Sequence, residues 1–290
     1  MPNPTISVII PTYNREKVLK RCLKSLENQT FKDFEVIICD DGSTDNTKKI
    51  VNYFKTSLKI KYILLNKNSG GPAVPRNIAI KNFKGKYIAF LDSDDYWNKH
   101  KLKKCINFLE EGYDFVYHNV ERKNFKSKFK FVSDIFFWNF FKKITIFNKL
   151  LLIGNKIINS SVVVRSKLLK RVGYFNESAK VVAMEDYLMW LKISKVTEKF
   201  KKIDEVLGFN YFQSDNLSTH SRIVRNISVF NTIYKKRLKK FSLKSSPWTY
   251  RYFAKYNLNS GNYILFIINM IKYLYCFILI FFNFKNLSKS

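Results

Sequence analysis

Along the first 120 or so positions, apolar residues fall into short runs separated by stretches of helical spacing. Ile6–Ile10 is a β-branched run closed by Pro11. Phe34–Cys39, Ile60–Leu65, Tyr87–Leu91 and Tyr113–Tyr117 are further runs of strand length. Between them, Glu16–Gln29 sets Val18, Leu19, Cys22, Leu23 and Leu26 on one helical face, with Asn14 as its N-cap. A helix after Gly42-Ser43-Thr44 turns Ile50, Val51 and Phe54 inward. Another opens at Pro72 and runs to Phe83, and a fourth covers Lys99–Glu111. Parallel neighbours need a crossover, so this alternation predicts an α/β fold with a mostly parallel sheet covered on both faces. Past Asn119 the pattern turns irregular. Arg122–Lys130 is basic, Phe136–Ile158 is rich in Phe, Leu and Ile, and Asn159–Gly173 reads as strand then helix. Three regions are expected: residues 1–118, 119–215 and a mainly helical 216–290.

Polar residues gather where the predicted strands end. Tyr87–Trp97 reads YIAFLDSDDYW, an apolar strand running into Asp92, Asp94 and Asp95. Alternate side chains of an extended segment share a side, so Asp92 and Asp94 project together. Two convergent carboxylates suit a hard divalent cation that also binds substrate phosphates; an acidic turn closing the strand is the other reading. Pro11-Thr12-Tyr13-Asn14 follows the first strand with an aromatic able to stack on a base. Asp40-Asp41 ends the second, where a carboxylate can accept from a base N–H. Gly70-Gly71 opens a helix that carries Arg76, a partner for an anion. Each cluster also reads as turn or cap chemistry. Four of them at one edge, the edge where open α/β sheets bind ligands, favour a site.

Charge adds a second feature. The formal net charge is +30 over 290 residues, and no acidic residue follows Asp215. Such a field attracts polyanions: nucleic acid, anionic lipid headgroups or phosphorylated substrates. The four cysteines have no paired spacing, and His100, His118 and His220 have no metal-ligand spacing, so neither a disulfide framework nor a zinc site is expected. The start lacks the basic and apolar pattern of a secretory signal. Tyr263–Phe284 is about long enough to span a bilayer. Asn269 and Lys272 sit in its middle, which favours an interfacial or shallowly inserted helix over a span, with a buried core helix as the alternative.

The blocks Ser7–Arg15 (SVIIPTYNR), Val36–Thr47 (VIICDDGSTDNT), Gly71–Ile80 (GPAVPRNIAI) and Ile88–Asp95, in this order and spacing, resemble the signature blocks of family-2 glycosyltransferases. Met184–Leu191 (MEDYLMWL) resembles that family's Glu-Asp block. The resemblance implies a GT-A fold, a Rossmann-like nucleotide-sugar domain followed by an acceptor-binding region. It implies that Pro11, Tyr13 and Asp41, with Asp40, hold a uracil, and that Thr12, Asn14 and Ser93 join the donor site. Arg76 would face the diphosphate or sugar, Asp92 the ribose or sugar. Asp94 would bind Mn²⁺ or Mg²⁺, and Asp186 would be the catalytic base, with Asp95 and Glu185 in support. One departure stands out: many relatives carry a Tyr-Arg-x-His-like segment before an Asn-x-Ser, whereas Asn210–Ser218 reads NYFQSDNLS, leaving His220 as the substitute.

The activity implied is inverting transfer of a hexose, glucose or galactose before the N-acetylated hexoses, from a UDP-sugar to a lipid-linked or surface glycan. The basic tail and apolar segment suit an enzyme peripheral on the inner face of the cytoplasmic membrane, bound to anionic lipid. A basic nucleic-acid-binding protein, a nucleotidyltransferase and a catalytically silent nucleotide-sugar module are the competing readings. Carboxylates at the ligand edge disfavour the first; the absence of glycine before Gly42 disfavours the second.

Overall fold

The structure, a computed structural model, describes residues 3–123, 144–211 and 219–283. Most of the basic run 122–130, the start of the apolar stretch 136–158, and positions 212–218 of the NYFQSDNLS segment lie outside the described residues. The chain divides into two compact units, Met1–Lys126 with Ile157–Leu217, and Ser127–Lys156 with Ser218–Ser290.

The first unit opens with β1 (Ile6–Thr12), α1 (Glu16–Glu27), β2 (Phe34–Asp40), α2 (Thr47–Phe54), β3 (Ile60–Leu64), α3 (Ala73–Ile80) and β4 (Tyr87–Phe90). It continues through β5 (Tyr96–Trp97), α4 (Lys101–Glu110) and β6 (Phe115–Lys123). After the second unit's insertion come β7 (Val163–Arg165), α6 (Ser166–Val172), α7 (Glu185–Ser194) and β8 (Phe200–Tyr211). These strands form an eight-stranded sheet in the order β3-β2-β1-β4-β7-β6-β8-β5. The β3-β2-β1-β4 half is parallel throughout; β7 is antiparallel to both β4 and β6, β6 is parallel to β8, and β5 is antiparallel to β8.

Both faces of the parallel half are covered, which is why its strands read as continuous apolar runs. Val8, Ile10, Val36, Ile38 and Ala89 point to one face, where they meet Leu19, Cys22, Leu23 and Leu26 of α1 and Leu102, Cys105 and Leu109 of α4. On the other face Phe90 meets Phe175 edge-on at 5.4 Å and Trp190 at 5.8 Å. Register sets Thr12 against Asp40, so β1 and β2 end together, and Ile9 against Phe90, so β4 ends three positions earlier at the same edge. This shared carboxyl edge carries the polar clusters.

Two expectations need correction. Asn14 is not the cap of α1: Arg15 precedes the helix, with no side-chain cap. Because β1 continues to Thr12, Asn14 falls in a left-handed turn (φ 49°). There its amide oxygen accepts from Thr44 N–H at 2.9 Å and its own N–H donates to Ser43 Oγ at 2.8 Å. The strand expected at Tyr113–Tyr117 starts at Phe115 and runs to Lys123, its pairing with β8 broken by irregularities on either side of Asn119.

In the second unit every described element is a helix: α5 (Ile146–Ile153), α8 (His220–Lys239), α9 (Pro247–Asn259) and α10 (Tyr263–Phe282). Carbonyls at the end of α5, which lack partners within the helix, are taken up by α9 and the residue before it: Ser246 Oγ donates to Leu151 O, and Arg251 to Ile153 O at 3.1 Å. A turn at Gly261 (φ 76°) folds α10 back on α9.

Candidate functional site

Asp92 stands two residues past β4, and its position is set from three sides. Its Oδ1 accepts from Arg76 Nη2 at 2.9 Å and from Asn159 Nδ2 at 2.8 Å, while its N–H donates to Ser160 Oγ at 3.0 Å. Arg76 lies on α3, is 2% exposed, and reaches Glu185 Oε1 at 3.2 Å with its other terminal nitrogen. Its guanidinium covers the Phe175 ring at 4.9 Å. One cation thus joins α3, the loop after β4 and the first turn of α7. Burial opposes its charge, but Asp92, Glu185 and Asp186 outweigh that and raise its pKa. The Asp92 side chain is 34% exposed, so the network is buried behind and open in front.

Within this network three polar atoms are buried without a hydrogen-bond partner among the described residues: Arg76 Nε, Glu185 Oε2 and Asn159 Oδ1. Buried polar atoms are normally paired, so this cluster is held together by charge rather than by a complete set of hydrogen bonds.

Asp95 is the buried member of the acidic cluster. It accepts from Asn210 Nδ2 at 2.8 Å and from Ser160 Oγ. Burial, then the charges of Asp94 and Asp92, push its carboxyl well above the usual range. Asp94 is partly exposed between them, and its main-chain oxygen accepts from Arg21 at 2.9 Å. Ser93 is buried within the same loop.

Glu185 and Asp186 open α7. Ala183, just before them, is held at φ 69°, a left-handed conformation that costs a side-chain-bearing residue about 1–2 kcal/mol. Burial pushes the Asp186 carboxyl up to about 7; Glu185 adds to the shift and Arg76 opposes it. A carboxylate with that pKa is suited to take a proton near neutrality.

A second cluster lies at the ends of β1 and β2. Asp40 is fully buried, accepting from Ser43 N–H at 2.8 Å and from Tyr62 OH at 2.5 Å. Asp41 N–H donates to Thr12 O at 2.8 Å, and its carboxylate accepts from Ser69 N–H at 3.0 Å and Ser69 Oγ at 2.9 Å. Burial raises the Asp41 pKa against those bonds. Pro11 and Thr12 are buried, whereas Tyr13 is 42% exposed with its ring available for stacking. Gly70 sits at φ 85°. A Cβ on Gly71 would come within 3.2 Å of Val182, so the Ser69–Pro72 turn passes close to the entry of α7.

Arg76, Asp92, Asp94, Asp95, Glu185 and Asp186 therefore belong to one electrostatic network, while Thr12, Asn14, Asp40 and Asp41 form the hydrogen-bonded turns at the neighbouring strand ends. His220 lies in the second unit at the start of α8, stacked on Tyr256 at 3.6 Å and bonded through Nδ1 to Tyr252 OH at 2.8 Å. Sequence reasoning missed Asn159, Ser160 and Asn210. The first two form a 3₁₀ turn ahead of β7, and Asn210 opens the divergent NYFQSDNLS segment. That divergence is the only local signal any of them carries.

Among the described residues no group of three His, Cys, Asp or Glu side chains could hold a metal by itself. Asp94, with Asp92 beside it, offers hard oxygen donors at a partly open position. This fits a cation of the Mg²⁺ or Mn²⁺ kind, which takes one or two carboxylates and completes its shell with phosphate oxygens and water.

Comparison with known proteins gives consistent results. The profile described as Glycosyl transferase family 2 matches residues 7–173. The chain is 32% identical over 231 residues to the UDP-Glc:alpha-D-GlcNAc-diphosphoundecaprenol beta-1,3-glucosyltransferase WfaP of Escherichia coli, covering 79% of this chain and 86% of that enzyme. It is 46% identical over 112 residues to the poly(ribitol-phosphate) beta-N-acetylglucosaminyltransferase TarS of Staphylococcus aureus. That match takes in 38% of this chain and spans 20% of the relative's length. The crystal structure of TarS 1–349 with UDP-GlcNAc superposes with a TM-score of 0.61 at 28% identity, over 79% of this chain and 66% of that one.

Proposed function

The chain belongs to glycosyl transferase family 2 and has the GT-A fold, and from that premise we propose that it transfers a hexose from a UDP-sugar to a hydroxyl of a lipid-linked glycan, with inversion. The observation that carries this is Asp186 in the Arg76–Asp92–Glu185 network, a carboxylate with its pKa pushed up to about 7 beside a buried cation. Asp186 takes the proton of the acceptor hydroxyl as its oxygen bonds to the anomeric carbon. The bond from that carbon to the diphosphate breaks on the opposite side, and UDP leaves with the electron pair. No covalent intermediate is needed.

Arg76 and Glu185 fix Asp92 from behind, and the half-open Asp92 carboxylate orients the sugar by accepting from its hydroxyls. Tyr13 stacks on the uracil, Asp41 reads its edge, and Pro11, Thr12, Asn14 and Asp40 shape the turn that holds both. Asp94 would hold Mn²⁺ or Mg²⁺. The metal would neutralise charge on the leaving diphosphate, and Asp95, bound by Ser160 and Asn210, fixes the loop that presents Asp94. Glucose is favoured because WfaP, of which the chain covers most, is named for UDP-Glc; galactose is next. The same relative acts on a diphosphoundecaprenol-linked sugar, which supports an acceptor at a membrane and an enzyme peripheral on the cytoplasmic face of anionic lipid.

The test is UDP release from a panel of UDP-sugars with lipid-linked acceptors, in Mn²⁺ or in EDTA. Metal-dependent release from one sugar is expected, lost in Asp94→Asn. Salt-sensitive binding to DNA or RNA, with no release from any sugar, would overturn the proposal.

A further inference from the structure

One face of α10 is apolar from end to end and open to solvent. Ile264, Ile267, Ile271, Leu274, Ile278 and Phe282 follow one another at steps of three and four, which sets them in one narrow strip. Their exposures are 74, 54, 61, 50, 52 and 78%. On the opposite side Tyr273, Cys276, Phe277 and Ile280 are buried, and the helix packs on α9. Asn269 lies two positions from both Ile267 and Ile271, about 200° around the helix and so off the strip, and its amide donates back to Leu265 O at 2.7 Å. Lys272 is exposed one residue from Ile271, about 100° around the helix and so at the strip's flank. Soluble monomers rarely expose so continuous an apolar surface.

Two occupants fit the shape: a second copy of this chain or a lipid bilayer. Charge decides between them. Residues 216–290 contain no acid, and α8 with the turn after it exposes Lys235, Lys236, Lys239, Lys240 and Lys244. A second copy would bring the same charge, whereas anionic headgroups bring the opposite one. Packing then decides the orientation. The buried face of α10 rests on α9, which carries Arg251 and Lys255, and Arg251 is tied to Ile153 O of α5. Crossing the bilayer would pull those cations into hydrocarbon or strip α10 from its support.

We propose that α10 lies in the plane of an anionic membrane surface, strip inward, with α9 covering its back and Lys272 reaching the headgroups from the flank. Its polar side is the protein itself, so it needs none of the basic residues of a free amphipathic helix. The inference deepens the lipid-linked acceptor reading and rests on it for purpose, though not for its own test.

The full chain is mixed with phosphatidylcholine vesicles, with and without phosphatidylglycerol, and floated. Wild type is expected on the anionic vesicles and is expected to come off in alkaline carbonate. Ile267→Glu and Leu274→Glu should each lower the bound fraction roughly tenfold or more while UDP binding is unchanged. Resistance to carbonate would make α10 a span and overturn the in-plane placement. Undiminished binding by both variants would remove the strip from the contact. Self-association without vesicle binding, abolished by the same variants, would make the strip an interface between copies. Failure of docking with sugar transfer intact sinks this inference alone; docking with no transfer from any UDP-sugar sinks the functional reading alone.

Discussion

At the scale of single residues, three carboxylates, Asp92, Glu185 and Asp186, share the one buried cation of Arg76. Asp186 has its pKa raised to about 7, so kcat/KM should climb with pH and level off above neutrality. An acidic limb near pH 4 to 5 would mean an ordinary, well-solvated carboxylate. A raised pKa in the folded chain favours the protonated form, so its stabilising contribution is complete below the unfolded value near pH 3.8 and is lost as pH rises through about 7. Asp186→Asn should therefore be more stable than wild type in urea at pH 8, equally stable below pH 4, and inactive while still binding donor. Asn159 offers a different test. Its amide fixes Asp92 while its own oxygen is buried and unpaired. Removing both at once in Asn159→Ala should change stability by less than about 1 kcal/mol, yet lower kcat/KM about tenfold through a mobile Asp92. Asn159→Asp, which sets a like charge against Asp92, should do worse in a steady-state assay.

Among the elements, Arg76 ties α3 to the loop after β4 and to the first turn of α7 from a buried position, which makes its loss costly. Arg76→Met leaves Glu185 and Asp92 without their counter-charge. Unfolding in urea should show a loss of about 3–5 kcal/mol, the range for breaking a buried pair from one side. Elements also explain how far the sequence could be read. Ile6–Thr12, Phe34–Asp40 and Tyr87–Phe90 were legible because strands buried on both faces are apolar throughout, and α1 because Leu19, Cys22, Leu23 and Leu26 repeat at helical spacing. β8 was not: FKKIDEVLGFNY alternates poorly because its partner β6 bends around Asn119. β5 is two residues long and exists only by pairing with β8. Asp92, Asp94 and Asp186 announced themselves as charges beside apolar runs. Asn159, Ser160 and Asn210 are neutral residues whose roles arise from contacts between segments far apart in the chain, and no local pattern encodes those.

Across the whole molecule, the order in which the chain is synthesised sets when the sheet can close. The apolar edge of β4, fully buried in the finished sheet, is closed by the antiparallel strand β7, and Arg76 meets Glu185 across 109 positions of chain. At a synthesis rate of about 5–20 residues per second, Glu185 follows Arg76 off the ribosome by roughly 5 to 20 seconds. The edge of YIAF waits for Val163–Arg165, about 75 residues or roughly 4 to 15 seconds, and through that shorter interval it is an unpaired, hydrophobic strand edge of the kind that seeds aggregation. A nascent chain stopped at residue 118 should need a holding chaperone to remain soluble, and one carried to residue 211 should not, as sedimentation of stalled complexes would reveal. The sheet's change of direction at β7 thus makes the chain most vulnerable before it is complete, at a stage when it already has the strand ends that carry Asp40 and Asp92 but still lacks Glu185 and Asp186.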